Sequence, residues 1–248
     1  MSSRRMSHIE RTELLAQAID RQGPAPGPPF PCPYLPERMA RNLIVVPSPM
    51  APGVYHSLMD LNFRRLGAIF YRPQCPSCTE CRQVRVPVAE FRPSRTQRRC
   101  WARNADVVVE AGTPMPSEEK RHLYKRYLDK RHDGQMDGSP GEFYGFLYAT
   151  TVPTLEIAYR AGDRLLGVGV ADVEPDAMSA VYCYFDPEEP ARSLGVYNIL
   201  WMIEECRRRA IPYLYLGYYV HDCRRMNYKA VYRPYELLGA DGSWARFE

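Results

Sequence analysis

Residues 155–185, LEIAYRAGDRLLGVGVADVEPDAMSAVYCYF, decide how the chain is read. Three runs of strand-forming residues, 155–159, 165–173 and 179–185, are separated by the turn signals Ala161-Gly162-Asp163 and Glu174-Pro175-Asp176. Asp186-Pro187 breaks the pattern. Apolar residues at helical spacing then run from about 193 to 209, followed by a strand at 213–216 and a second helix–strand unit ending at Leu238.

Three antiparallel strands, a helix entered through Ser193-Leu194-Gly195, then strand and helix, is the order of an acyl-transfer fold of the N-acetyltransferase (GNAT) type. The chain is expected to be α+β, with a GNAT-like domain over 106–248 preceded by a cysteine-containing α/β domain over 1–105. Such a fold holds an activated acyl group, and the order of elements does not say which one. In the first part, 1–20 is a polar lead-in with helical character, and strands are expected at 43–46 and 68–71. A helix over 55–66 should end at Gly67 as its C-cap. Val84, Val86 and Val88 alternate with Arg85 and Pro87, which predicts an edge-type strand. Seven of the thirteen residues in PAPGPPFPCPYLP, 24–36, are proline, so this run lies extended on a surface. Its Cys32, Tyr34 and Leu35 mark it as a segment that docks.

At 248 residues the chain holds one to two domains of roughly 150 residues each. Apolar residues at 45% and charged residues at 25% exclude a disordered chain. No stretch approaches the roughly 18 apolar residues of a membrane span. The opening MSSRRMSHIER has no apolar signal core, so a cytoplasmic protein without a membrane partner is expected. The net charge of +4 conceals its distribution. Between 82 and 103 seven arginines (Arg82, Arg85, Arg92, Arg95, Arg98, Arg99, Arg103) face one acid, Glu90; subtracting this local +6 leaves −2 for the rest. Guanidinium forks suit phosphates and stack on bases, which predicts an RNA-facing strip; an arginine–carboxylate network is the alternative.

Cys75-Pro76-Ser77-Cys78-Thr79-Glu80-Cys81 places three thiols in seven residues, a pattern for zinc, an iron–sulfur cluster or redox chemistry. A bacterial-ferredoxin run would want a cysteine where Arg85 stands, so the fourth ligand must come from elsewhere. Cys32 is favoured, because a tetrahedral thiolate site would pin the proline-rich segment; Cys100 competes, and unliganded thiols are the plain alternative. Cys183, Cys206 and Cys223 read as small core residues, and His56, His122 and His132 as structural or surface groups.

Several motifs belong to one pattern: Cys32-Pro33-Tyr34-Leu35-Pro36 with Arg38 and Arg41-Asn42-Leu43, Asn62-Phe63-Arg64-Arg65-Leu66-Gly67, and Tyr71-Arg72-Pro73-Gln74-Cys75 through Cys81. It continues in Val84-Arg85-Val86-Pro87-Val88, Phe91-Arg92-Pro93-Ser94-Arg95-Thr96-Gln97-Arg98-Arg99, Asn104-Ala105-Asp106, Tyr215-Leu216-Gly217-Tyr218-Tyr219 and Met226-Asn227-Tyr228-Lys229. From about Pro31 to Trp244 the chain resembles the bacterial aspartate/glutamate leucyltransferases, relatives of the eukaryotic arginyl-tRNA–protein transferases. The resemblance implies an aminoacyltransferase of the N-degron pathway. Its donor would be leucyl-tRNA, its acceptors proteins beginning with Asp or Glu, and an adaptor and protease would act downstream. Family members that use arginine make that donor the alternative. The resemblance also implies metal or iron–sulfur binding by cysteines of the first part, at a different spacing from this one.

An aminoacyl ester is already activated, so no cofactor and no covalent nucleophile are required. An acceptor carboxylate calls for Arg or Lys. Tyr218, Tyr219, His221, Asp222, Arg224, Arg225, Asn227, Tyr228, Lys229 and Arg233 crowd beyond the strand at 213–216. Tyr182, Asp186, Tyr218 and Tyr228 are the catalytic candidates, with Asp186 a possible base or a helix cap. Asn227, Lys229 and Arg233 are candidates for the acceptor, and Arg92, Arg95, Arg98 and Arg99 for tRNA; Cys32, Cys75, Cys78 and Cys81 form the candidate metal set. Two rivals stand. An acyl-CoA N-acetyltransferase would want a glycine-rich turn where Arg192-Ser193-Leu194-Gly195-Val196-Tyr197 offers one glycine, and a metal-stapled RNA-binding module leaves the second half unexplained.

Overall fold

The computed structural model describes residues 6–46, 50–131 and 138–248; His132 lies outside them. Helix α1 (His8–Gln22) starts at a Ser7 capping box and stops at left-handed Gly23. Strands β1 (Phe30–Pro31) and β2 (Met39–Ala40) form an antiparallel ribbon at the proline-rich segment. Next come β3 (Asn42–Val45), α2 (Val54–Asp60), β4 (Arg64–Leu66) and β5 (Ile69–Pro73), whose strands make an antiparallel sheet of order β3-β5-β4. The helix expected over 55–66 is thus cut short. Asn62 takes φ 66° and turns the chain into β4, and Gly67, at φ 56°, makes the two-residue turn of the β4–β5 hairpin in place of a helix cap.

The rest of the chain runs β6 (Arg82–Pro87), α3 (Arg95–Arg103), β7 (Val108–Gly112), α4 (Glu118–Arg131), α5 (Pro140–Phe143), β8 (Thr154–Ala161), β9 (Arg164–Glu174) and β10 (Ala177–Phe185). It ends with α6 (Leu194–Arg208), β11 (Tyr213–Tyr219), α7 (Arg224–Asn227), β12 (Tyr235–Leu238) and β13 (Trp244–Phe247). One sheet of eight strands, in the order β13-β12-β6-β11-β10-β9-β8-β7, carries the molecule. Its neighbours are antiparallel except β10 and β11, which makes this a mixed α/β protein with a large mixed sheet. The runs at 155–185 are β8, β9 and β10, paired in sequence as their turns dictate.

The valine alternation departs from its reading. Pro87 predicts an edge, yet β6 lies between β12 and β11, with Val84 and Val86 wholly buried; Pro87 is in register with Tyr213 of β11, the N–H of Val88 bonds the Pro212 carbonyl (2.9 Å) one residue beyond it, and the ladder to β12 reaches only Val84 and Arg85. A boundary at residue 105 therefore crosses a sheet built from strands on both sides of it. Alternate residues of β11 serve two cores. Leu214 and Leu216 pack with α6 through Leu200 and Ile203, whereas Tyr215 packs with Leu58, Phe63 and Phe70 of the small sheet and α2. Arg65 bolts that small sheet to β9 through Asp172, 2.7 Å away, with neither side chain exposed. Among the described residues no helix is long and apolar enough to cross a membrane.

Candidate functional site

Strands β10 and β11 pair only over Ala177, Met178 and Ser179 with Tyr213, Leu214 and Tyr215, then diverge. Each carries a register shift where it leaves the other, between Ala180 and Tyr182 against β9 and between Tyr215 and Gly217 against β6. Bulges bend strands, and two in facing positions open a cleft. At its root sits Arg64. Its Nη2 donates to the carbonyls of Ala180 (3.1 Å) and Val181 (3.3 Å), and its guanidinium lies 5.8 Å from the Tyr218 ring. Gly217 makes room for it: at φ 78°, a Cβ there would meet Arg64 Nη1 at 1.6 Å.

The structure gathers some of the expected residues here. Tyr218 is fully buried and donates its hydroxyl to the carbonyls of Asn62 (2.9 Å) and Tyr71 (3.2 Å). Lys229 is 5% exposed and donates to the Tyr218 carbonyl; burial, reinforced by the Arg64 charge, holds its ammonium well below the usual lysine range. Tyr228 is 45% exposed, beside Lys229. Tyr182 is half-buried on β10 among Phe146, Tyr124 and Tyr127.

Others go elsewhere. Asp186 is buried and its carboxylate is occupied by Arg164 (2.7 Å), Arg126 (3.4 Å) and the Glu188 N–H (3.1 Å). Burial alone would raise its pKa, but the Arg164 and Glu188 bonds and the Arg126 charge outweigh it and leave the carboxyl below its ordinary value. A carboxylate so held clamps the end of β10 and has little proton affinity to offer as a base. Asn227 closes its own loop by donating to the His221 carbonyl (2.8 Å). Arg233 is exposed, its carbonyl accepting from the Arg92 N–H (3.3 Å), so it joins the arginine strip and not the Lys229 pocket.

That strip divides in two. Arg85 is 8% exposed, paired with Glu236 at 2.7 Å and flanked by the Tyr213 and Trp244 rings, and Arg82 donates to the Leu238 carbonyl (2.8 Å); both serve the sheet. Arg92, Arg95, Arg98, Arg99 and Arg103 are exposed on and just before α3, without a carboxylate partner among the described residues. Gln97 and Cys100 face inward from that helix. Trp101, 41% exposed, stands among the arginines.

The proline-rich segment docks as its sequence predicts: Cys32 N–H bonds the Arg38 carbonyl (2.9 Å), and the Pro33 carbonyl accepts from Arg225 (3.2 Å). It closes a cavity of about 940 Å³ whose wall includes Cys32, Cys75, Cys78 and Cys81. Cys100 is not part of it; its thiol points to the Arg192 carbonyl (3.5 Å) under α3. All four cavity thiols are free and half-buried, and Arg38 donates to the Cys78 sulfur (3.3 Å). Burial first, then the neighbouring thiols, push Cys81 up to about 12. Four soft sulfur donors in one wall fit zinc or an iron–sulfur cluster, although no three of these sulfurs lie within 4.8 Å of one another.

Sequence reasoning missed Arg64 as a site residue. The interruption of a strand by Gly217 in Tyr215-Leu216-Gly217-Tyr218 was the available signal of a close approach. It also missed a polar network beneath β11. The Tyr215 hydroxyl donates to Asp60 and meets His56 (3.1 Å) and Arg85 (3.0 Å), while His8 bonds Asp60 at 2.8 Å. Burial and the neighbouring His8 hold His56 down at about 3, so it stays neutral. The His8, His56 and Asp60 ligand atoms lie within 4.8 Å of one another, but the two rings are stacked at 3.9 Å and both Asp60 oxygens already accept hydrogen bonds. The network ties α1 and α2 to the sheet.

Against known proteins, residues 30–99 match the description "Arginine-tRNA-protein transferase, N terminus" and residues 119–239 match "Arginine-tRNA-protein transferase, C terminus". The aspartate/glutamate leucyltransferase of Pseudomonas aeruginosa (strain LESB58) is 46% identical over 213 residues, 85% of this chain and 91% of that protein. The protein of the same name from Hahella chejuensis is 41% identical over 220 residues, 88% of this chain and 94% of its own. Among solved structures, a C-terminal domain assigned to a lysylphosphatidylglycerol synthetase of Agrobacterium fabrum is similar in fold, with TM-score 0.50 and 13% identity over 90% of this chain and 63% of that one. Matched in both its parts and aligned over most of its length with two proteins named aspartate/glutamate leucyltransferase, the chain belongs to the arginine-tRNA–protein transferase family.

Proposed function

We propose that this chain transfers leucine from leucyl-tRNA to the α-amino group of proteins that begin with Asp or Glu, marking them for degradation through the N-degron pathway in the cytoplasm, with an adaptor and protease downstream. The observation that carries this reading, and favours leucine over arginine, is 46% identity over 85% of the chain to a relative of that name. The cleft between β10 and β11 supports a GNAT-type acyl transfer. A neutral acceptor amine attacks the ester carbonyl, the bond to the terminal ribose oxygen of tRNA breaks, an amide forms and the proton ends on that oxygen. Strand edges released from each other beyond Ser179 and Tyr215 are the source of backbone donors for the developing oxyanion. Tyr182, Tyr218 and Tyr228 line or support the cleft, and the exposed arginines of α3 hold tRNA phosphates, with Trp101 among them to stack on a base.

Cys32, Cys75, Cys78 and Cys81 would hold zinc or an iron–sulfur cluster, which would lock the proline-rich segment in place and supply no step of the transfer. Elemental analysis of protein purified with and without air should find zinc or iron that Cys75→Ser with Cys78→Ser removes; metal-free protein from both preparations refutes the site. For the activity, purified protein is incubated with an Asp-initiated peptide and radiolabelled leucyl-tRNA, arginyl-tRNA or acetyl-CoA. Label should enter the peptide from leucyl-tRNA. Preference for either other donor overturns the reading.

A further inference from the structure

The parting of β10 and β11 has its cause in a side chain from the small sheet. The last residues that the two strands pair are Ser179 and Tyr215. Immediately beyond them, Arg64 Nη2 takes the carbonyls of Ala180 (3.1 Å) and Val181 (3.3 Å) on β10, and the same guanidinium leaves no space for a Cβ on Gly217 of β11. Carbonyls of successive residues point to opposite edges of a regular strand. Two that converge on one nitrogen require the irregularity that β10 shows between Ala180 and Tyr182. Strand carbonyls also lie in the plane of the sheet, and the opposite edge of β10 is occupied by β9. The guanidinium therefore stands where the parallel ladder to β11 would continue. Both strands are held from one cross-strand pair of the small sheet. Arg64 lies opposite Tyr71 in the β4–β5 hairpin, and the Tyr71 carbonyl, with that of Asn62, accepts the Tyr218 hydroxyl of β11. The next residue fixes that sheet in place: Arg65 meets Asp172 through Nε (2.7 Å) and Nη2 (2.8 Å), and Asp172 stands opposite Ser179 in the β9–β10 register.

We infer that Arg64 is a positioning residue for the transfer: its guanidinium is a wedge that keeps β10 and β11 apart, with Gly217 as the notch that admits it, and so fixes the geometry of the parted strand edges. This rests on the leucyl-transfer reading and deepens it, since Arg64 acts through the strands and not on either substrate. The first part of the chain thereby sets the shape of a cleft whose walls belong to the second. Without the guanidinium, the edges beyond Ser179 and Tyr215 are free to pair with each other, which consumes the backbone groups that face the cleft.

Two measurements on the full chain test this. Amide hydrogen exchange does not depend on activity: in Arg64→Gln, segments 180–183 and 216–219 should exchange more slowly than in wild type as the ladder extends, with the β8–β9 hairpin unchanged. Equal or faster exchange in those two segments overturns the wedge. In steady-state transfer of leucine to Asp- and Glu-initiated peptides, Arg64→Gln should lower kcat about 100-fold for both, with peptide KM and leucyl-tRNA affinity within about threefold of wild type. Arg64→Lys, whose ammonium still reaches a carbonyl, should recover part of that loss, and it carries both measurements if Arg64→Gln does not fold. Gly217→Ala, which displaces the guanidinium without removing it, should match Arg64→Gln, and the double variant should fall no further. A loss carried by KM, a loss confined to one peptide, or single losses that multiply in the double variant overturns the assignment. Wild-type protein that passes leucine to neither peptide overturns the leucyl-transfer reading instead, and the exchange result then decides the wedge by itself.

Discussion

Replacing Arg95 and Arg99 together by alanine tests whether α3 meets the tRNA backbone. Both side chains are exposed on the face away from buried Gln97 and Cys100, and alanine favours helix, so stability should move by no more than about 0.5 kcal/mol. The charge is placed against local preference. The first turn of α3 contains no acid and carries Arg95 and Arg98 at the positive end of the helix dipole, an arrangement that a bound phosphate would turn from repulsion to attraction. Each phosphate contact contributes about 0.7–0.9 to the slope of log affinity against log salt, so losing two flattens the slope by about 1.4–1.8. Between 50 and 200 mM salt the penalty of the double substitution should therefore shrink about 7–12-fold. Filter binding of leucyl-tRNA across that range reads the slope directly, with the Arg85 ion pair left intact in both proteins. A slope equal to that of wild type, whatever happens to affinity at one salt concentration, would refute the assignment.

Two further outcomes follow from the buried carboxylates. Burial raises the Glu174 carboxyl from 4.5 to about 7 against the weaker opposing effect of the Gly53 N–H. A raised folded pKa means that its contribution to stability is fully present below about 4.5 and is lost as pH climbs through 7, by about 3 kcal/mol. Glu174→Gln should thus melt about 6–12 °C above wild type at pH 8, with the gap closing by pH 4.5, in calorimetry; a gap independent of pH would show that ionisation is not its cause. Asp186→Asn should lower the melting temperature by about 3–8 °C through loss of the Arg164 and Arg126 pairs, while single-turnover leucyl transfer falls less than about tenfold. A hundredfold loss of transfer at unchanged stability would return Asp186 to the role of base.

Hairpin order was legible because short turns such as Ala161-Gly162-Asp163 fold β8 back onto β9, and 3.6-residue periodicity carried α6. What was illegible depends on pairing between distant segments. Nothing local to Val84-Arg85-Val86-Pro87 says that β11 and β12 will arrive on either side, and a proline within a short run argues for the edge. The arginines show the same limit at the site. Sequence alone cannot separate Arg85, consumed by Glu236 from 151 residues away, from Arg95, which pairs with no acid among the described residues. That Cys32 lies in one cavity wall with Cys75, Cys78 and Cys81 was legible because its segment had no other reason to dock. Arg64 was not, since its meaning depends on a glycine in a strand that the chain makes much later.

Placing β6 between β11 and β12 has a consequence for synthesis on the ribosome. Its valines leave the exit tunnel early, but both of its hydrogen-bonded edges stay open until residues 88–212 and then β12 have been made. At about 5–20 residues per second that interval lasts roughly 6–25 s. Through it the nascent chain displays a short, apolar, unpaired strand, the kind of segment that other chains can add to. Arg82, ahead of the valine pair, and Arg85, between the two valines, supply charge that discourages such additions before each finds its place in the finished sheet.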